Sequence, residues 1–131
     1  MAMNNSKTIL VFDDDADILD IFKIVLQAAG YRVESSQTSD DIIEKARSVN
    51  PDIIIMDNWI PGIGGLKATQ LLKSDPACKH IPVIYCSANR DLRSLAEQAN
   101  AEAFLAKPFD LRDLEKTVAE LLKNDDRSTH N

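Results

Sequence analysis

The sequence predicts an α/β fold: a doubly wound parallel sheet of five strands in the order 2-1-3-4-5, with five helices on its two faces. Three observations carry this expectation. Short apolar runs alternate with helix-length stretches of 3.6-residue period along the chain. One run, Ile53–Met56, is apolar at every position, as suits a strand covered on both faces. Strict strand–helix alternation implies parallel strands joined by right-handed crossovers, and 131 residues hold five such pairs around one core.

Each element follows in order. Ile9–Phe12 is the first strand and ends in Asp13-Asp14-Asp15. Asp17–Ala29 repeats on a helical period and stops at Gly30, a residue suited to the position past a helix end. Tyr31–Glu34 reads as the second strand. Ser39-Asp40-Asp41 can cap a helix running to about Val49, which Asn50-Pro51 breaks. After the third strand, Ile53–Met56, the stretch Asp57–Gly65 reads as loop, because it holds Pro61, Gly62, Gly64 and Gly65. Leu66–Lys73 is a helix, Pro82–Cys86 the fourth strand, Asp91–Ala99 a helix and Ala103–Ala106 the fifth strand. Asp110 caps a last helix expected to end near Lys123. The domain therefore spans residues 7–123, with residues 1–6 and 124–131 as short polar tails and no internal repeat, linker or second domain.

Composition narrows the function. A hydrophobic fraction of 44% and a charged fraction of 27% are those of an ordinary soluble domain. No apolar run approaches the roughly 20 residues that span a bilayer, and Met1–Lys7 lacks the apolar centre of a signal peptide. Cys78 and Cys86 match no disulfide, metal or redox spacing, which points to a reducing cytoplasm. We read Cys86 as a buried strand residue, Cys78 as an exposed loop cysteine and His80 as structural. A net charge of −6 argues against a nucleic-acid surface, which needs clustered Lys and Arg.

In open sheets of this kind, ligands bind beyond the carboxyl ends of the strands, at the point where the strand order reverses. Asp13, Asp14 and Asp15 follow the first strand, Asp57 the third, Ser87 the fourth and Lys107-Pro108 the fifth. Carboxylates forced together repel, and one would stay protonated at neutral pH unless a cation intervened. Mg²⁺ takes a few carboxylates, a carbonyl and waters in octahedral geometry. Taken singly, each Asp is a turn former or helix cap, and the acidic run alone would also suit the positive end of the first helix. The cation pocket depends on several strand ends supplying compatible groups.

Four segments carry a resemblance. Ile9-Leu10-Val11-Phe12-Asp13-Asp14 resembles the opening strand and acidic pair of response-regulator receiver domains. Ile53–Asp57 with Pro61-Gly62 resembles their phosphoacceptor strand and loop. Pro82–Ala88 resembles their fourth strand with its hydroxyl residue, and Phe104–Phe109 their lysine–proline motif. The likeness runs in order from about Lys7 to Lys123 and implies the flavodoxin-like fold of the chemotaxis regulators. It implies a single-domain phosphorelay switch, not a turnover enzyme. In that reading Asp57 takes a phosphoryl group from a histidine kinase or histidine phosphotransfer protein, beside Mg²⁺ or Mn²⁺. Asp14, Asp57 and the backbone carbonyl of Trp59 would bind the metal directly, with Asp13 acting through a metal-bound water. Lys107 would neutralise phosphoryl oxygens, Ser87 would hydrogen-bond one of them, and the Lys107–Pro108 bond would be cis. Positioning and charge neutralisation are what phosphoryl transfer requires.

The resemblance also implies a switch, in which Ser87 moves toward the phosphoryl group and an aromatic on the fifth strand rotates behind it. The matching residue is Phe104, where many relatives carry Tyr; its ring has no hydroxyl to hold an outward state. The output face would comprise Asp91–Ala99, Ala103–Ala106 and Asp110–Leu122, read by an unknown downstream protein, or the group would be relayed onward. The first helix has a wider apolar arc than the roughly 100° one core contact needs. Leu19 and Ile24 widen it, joining Ile18, Ile21, Phe22, Val25 and Leu26, and Ile18, Leu19 and Phe104 are expected to serve partner docking; burial in the chain's own core or a dimer contact fits Leu19 and Ile24 equally. The protein is expected to be a monomer or weak dimer, without nucleic-acid or membrane partners. Trp59 is expected to lean over the phosphoryl group and slow its hydrolysis, against the alternative of an exposed turn residue. A haloacid-dehalogenase-like phosphatase shares an Asp nucleophile, Mg²⁺, a Ser/Thr and a Lys. It needs a further acidic metal site after a late strand, where this chain has Ala106-Lys107.

Overall fold

The computed structural model describes residues 6–129. Its elements alternate as β1 (Thr8–Phe12), α1 (Ala16–Ala28), β2 (Arg32–Ser36), α2 (Ile42–Val49), β3 (Ile53–Asp57), α3 (Gly65–Ser74), β4 (Val83–Ser87), α4 (Leu92–Ala99), β5 (Ala103–Ala106) and α5 (Leu111–Thr129). The five strands form one sheet in the order β2-β1-β3-β4-β5, and every neighbouring pair is parallel. This is the expected flavodoxin-like arrangement.

Alternation of side chains along each strand divides the core in two. On one face Ile9, Val11, Ile53, Ile55 and Ile84 meet Leu19, Phe22 and Leu26 of α1 and Leu114, Val118 and Leu122 of α5. On the other, Leu10, Phe12, Ile54, Met56 and Val83 meet Ile42 and Ala46 of α2 and Ala68 and Leu72 of α3. Tyr85 of β4 packs with Leu92, Ala96 and Ala99 of α4. β3 and β4 are buried at every residue, which explains why they read as unbroken apolar runs. Each fully buried aliphatic side chain stabilises the fold by about 1.5–3 kcal/mol relative to exposure.

Several expectations need correction. β2 lies further along the chain than Tyr31–Glu34, because its extent is set by pairing with β1, from Thr8↔Arg32 to Phe12↔Ser36. Ser39 does not cap α2: Asp41 is the residue before that helix and makes no side-chain capping bond. α5 runs on past Lys123 to Thr129, since no Gly or Pro interrupts the segment. Cys78 is buried in the α2–α3 side of the core rather than exposed, because a turn in which its N–H donates to Asp75 O places it inside. Leu19 faces the core, so it cannot take part in docking a partner. Of the two expected tails, residues 1–5 and 130–131 lie outside the described residues.

Candidate functional site

The register of the sheet brings the strand ends level. Phe12 stands opposite Met56, Asp57 opposite Cys86, and Ser87 opposite Ala106. The residues that follow continue the ladders: Asp13 N–H donates to Ser36 O, Asn58 N–H to Cys86 O and Lys107 N–H to Ser87 O, at 3.1, 2.8 and 2.9 Å. Asp13, Asp57, Ser87 and Lys107 therefore emerge along one edge of the sheet although up to 94 residues separate them in sequence.

Lys107 joins the two buried carboxylates. Its Nζ donates to Asp13 Oδ2 at 2.8 Å and lies 2.7 Å from Asp57 Oδ1. The second Asp57 oxygen, Oδ2, accepts from the backbone N–H of Trp59 at 3.1 Å. Asp14 is exposed, and one carboxylate oxygen from each of Asp13, Asp14 and Asp57 lies within 4.8 Å of the others. Asp15 lines the same cleft but is not one of this group. Its Oδ1 accepts from Asp17 N–H and Ile18 N–H and caps α1. The acidic run thus divides into two members of the carboxylate group and a cap. The Lys107–Pro108 bond that carries the lysine into the cleft is cis.

Three carboxylates here face one ammonium. Burial pushes the Asp57 carboxyl above its ordinary pKa and outweighs the hydrogen bond and charge of Lys107, which act the other way. Burial also works against charge on Lys107, but hydrogen bonds to Asp13 and Asp57 overcome it and raise the ammonium's pKa. The residual excess of negative charge and the hard oxygen donor set fit a divalent cation of the Mg²⁺ type. The Cys86 thiol, wholly buried under the site, is pushed up to about 12 by burial, so it stays protonated.

The remaining expected site residues fall as follows. Ser87 is buried, and its Oγ accepts from Asn89 N–H at 2.9 Å while lining the cleft with Asp57 and Lys107. Trp59 has its side chain 80% exposed, at the rim of the same cleft. Phe104 is 41% exposed on β5, with the Arg93 guanidinium 5.6 Å from its ring centre. Ile18 is partly buried and lines an apolar groove with Ile21, Ala88, Pro108, Phe109 and Leu111, next to Lys107. Phe104 does not line that groove and Leu19 is buried, so of the three residues expected to dock a partner only Ile18 lines it.

Four further contacts shape the site, and the sequence does not show them. Gly65 opens α3 against the end of β3, and a Cβ there would stand 2.2 Å from Asp57 O. Ser39 is fully buried, donates to Pro61 O at 2.9 Å and accepts from Ile63 N–H at 3.0 Å. It ties the loop after β3 to the loop after β2. Beside it Gly62 has φ 102°, and a Cβ there would meet Ser39 Oγ at 2.8 Å. The Tyr85 O–H donates to Oδ1 of Asn58, the residue after Asp57, and burial first, then the charge of Asp57, pushes its phenol up to about 12.

Residues 9–119 match the family model for the response regulator receiver domain. The chain belongs to this family. The polar-differentiation response regulator DivK of Brucella ovis is 28% identical over 119 residues, covering 89% of this chain and 97% of that protein. The CheY-like response regulator receiver domain protein of Methanospirillum hungatei superposes with a TM-score of 0.86 at 25% identity, over 95% of this chain and 99% of its own. The receiver domain of the sensor histidine kinase PA1611 of Pseudomonas aeruginosa has a TM-score of 0.83 at 25% identity, covering 90% and 98%. That receiver domain carries a magnesium ion coordinated in its active-site cleft. No helix among the described residues of this receiver domain is long and apolar enough to cross a membrane.

Proposed function

We propose that this receiver domain is a phosphorylation switch of two-component signalling, with Asp57 as the phosphoacceptor. The observation that carries the reading is the meeting of Asp13, Asp14, Asp57 and Lys107 in one cleft. Asp14, Asp57 and the backbone carbonyl of Trp59 would hold Mg²⁺ or Mn²⁺ directly, and Asp13 would do so through water. The ion supplies charge neutralisation at the phosphoryl oxygens and at the attacking carboxylate.

The chain's own residues account for the remaining chemistry. An Asp57 carboxylate oxygen attacks the phosphorus of a phosphohistidine in line, an O–P bond forms, and the N–P bond breaks as the imidazole leaves. Lys107 is already held within reach of the acceptor, so its ammonium faces the incoming oxygens without reorganisation. Ser87 exchanges its contact with Asn89 for a hydrogen bond to the phosphoryl group, and Phe104 repacks behind it. The free-energy requirement is only that phosphorylation favours one of two packings by a few kcal/mol. The α4–β5–α5 face then signals to a downstream protein, or the group passes onward.

A histidine kinase or histidine phosphotransfer protein would supply the phosphoryl group. The apolar groove beside Lys107 suits such a partner's helix, with Ile18, Ile21 and Leu111 as its contacts. We place the domain in the cytoplasm, acting as a monomer or weak dimer and not as a turnover enzyme. Intact-mass measurement after treatment with acetyl phosphate and Mg²⁺ tests the core of this reading. The wild type should gain one phosphoryl group and Asp57→Ala none; an unmodified wild type, or equal labelling of the variant, overturns it.

A further inference from the structure

Asn58 is the residue that joins the acceptor to Trp59, and its backbone and side chain are both engaged. Its N–H donates to Cys86 O at 2.8 Å, and its C=O accepts from Gly65 N–H at 3.1 Å. Its side-chain oxygen accepts from the Tyr85 phenol. Tyr85 is itself fully buried in the fold. It belongs to a buried cluster with Leu92, Ala96 and Ala99 of α4, against which Leu66 of α3 packs. Packing alone does not explain a tyrosine here: its neighbours in the cluster are apolar, and a phenylalanine would fill the same space. The hydroxyl is spent on one residue, and that residue adjoins Asp57.

We propose that Tyr85 is a positioning residue for the cation and acceptor site: its phenol, clamped by α3 and α4, holds Asn58 and thereby the peptide units between Asp57 and Trp59. Two properties of the site depend on those peptide units. The Trp59 N–H, in the second of them, orients one Asp57 oxygen, and the Trp59 carbonyl, on the unit that follows directly, is the backbone ligand in the phosphoacceptor reading, on which this inference rests. The same contact joins the acceptor loop to α4 through a single side chain. Arrangement of the loop and packing of α4 are then one variable rather than two.

The test compares the full chain with Tyr85→Phe, Asn58→Ala and the double variant. Mg²⁺ affinity is read by calorimetry on unphosphorylated protein, and folding by urea denaturation. Tyr85→Phe keeps the ring and should weaken Mg²⁺ binding about three- to tenfold, the worth of one hydrogen bond. Asn58→Ala should do the same, and the double variant should be no weaker than Asn58→Ala alone. A merely structural tyrosine would lower the denaturation midpoint and leave the affinity of the folded protein unchanged; that result, or additive losses in the double variant, overturns the proposal. A wild type that neither binds Mg²⁺ nor gains a phosphoryl group from acetyl phosphate is a distinct result. It removes the phosphoacceptor reading and this inference with it.

Discussion

Gly65 shows how closely the backbone of Asp57 is packed. A methyl group at that position would lie 2.2 Å from Asp57 O and 2.8 Å from Asn58 Cα, and both are backbone atoms that cannot swing aside. Gly65→Ala should therefore destabilise by about 1–3 kcal/mol, as overpacking does, and weaken Mg²⁺ binding by moving Asp57. Urea denaturation and a metal titration check both, and an unchanged pair of values would mean the backbone yields freely. Trp59 offers a second test. Its backbone N–H holds Asp57, while its side chain is mostly exposed at the cleft's rim. Trp59→Asn retains the backbone contact and removes the ring, so it should hasten loss of the phosphoryl group severalfold if the ring screens the acceptor from water. Following dephosphorylation of acetyl-phosphate-treated protein by intact mass decides this; equal rates confine Trp59 to its backbone role. At this scale the sequence was legible wherever a residue stood at a strand end, because topology alone aligns those ends. Asp13, Asp57, Ser87 and Lys107 were found in that way. The roles of Tyr85, Asn58, Ser39 and Gly65 were not, because their contacts cross between loops and faces whose separation no sequence period encodes.

The elements were readable for a different reason. β3 and β4 are buried on both faces and so leave unbroken apolar runs, whereas β2 is an edge strand whose Ser35 and Ser36 carry no apolar signal. Its extent is decided by β1, a partner more than 20 residues away. α1 exposes a finer limit. Periodicity showed that its apolar arc is too wide for one contact, but not which residues are in excess. Leu19 is 6% exposed and Ile24 69%. The difference arises because the core side of α1 is set by Phe22 and Leu26, which lie with Leu19 at helical spacing. Leu19→Ala should cost about 2–5 kcal/mol, while Ile24→Ala should stay within about 0.5 kcal/mol of wild type. Comparable losses in the two denaturation curves would overturn this division of the helix. If the groove beside Lys107 receives the phosphodonor's helix, Ile21→Lys should slow transfer from that partner and leave labelling by acetyl phosphate unchanged.

Taken as a whole, the domain carries buried negative charge in excess of its one ammonium at the cleft, and this should make its stability depend on pH and metal in a defined sense. The Asp57 carboxyl titrates above its ordinary value of 3.8 in the folded protein, even with Lys107 beside it. Between the unfolded and folded values the native state binds more protons, so stability falls as pH rises through that window. Above it the cost of the buried charge is fully present. Asp57→Asn has no such charge, so without metal it should be more stable than wild type at pH 7, and the advantage should shrink as pH falls through that window and be gone below 3.8. Mg²⁺ should reverse the order. A ligand that binds only the native state adds stability with each increment above its Kd, about 1.4 kcal/mol per tenfold in concentration. That gain requires the carboxylates of Asp14 and Asp57. Wild type should therefore overtake Asp57→Asn as Mg²⁺ is raised, and EDTA should restore the first order. Urea denaturation of both proteins across a Mg²⁺ series reads the crossing directly. Parallel curves would mean that the acidic cleft does not hold the ion, and an Asn variant less stable at zero metal would mean that Lys107 more than offsets the burial of Asp57.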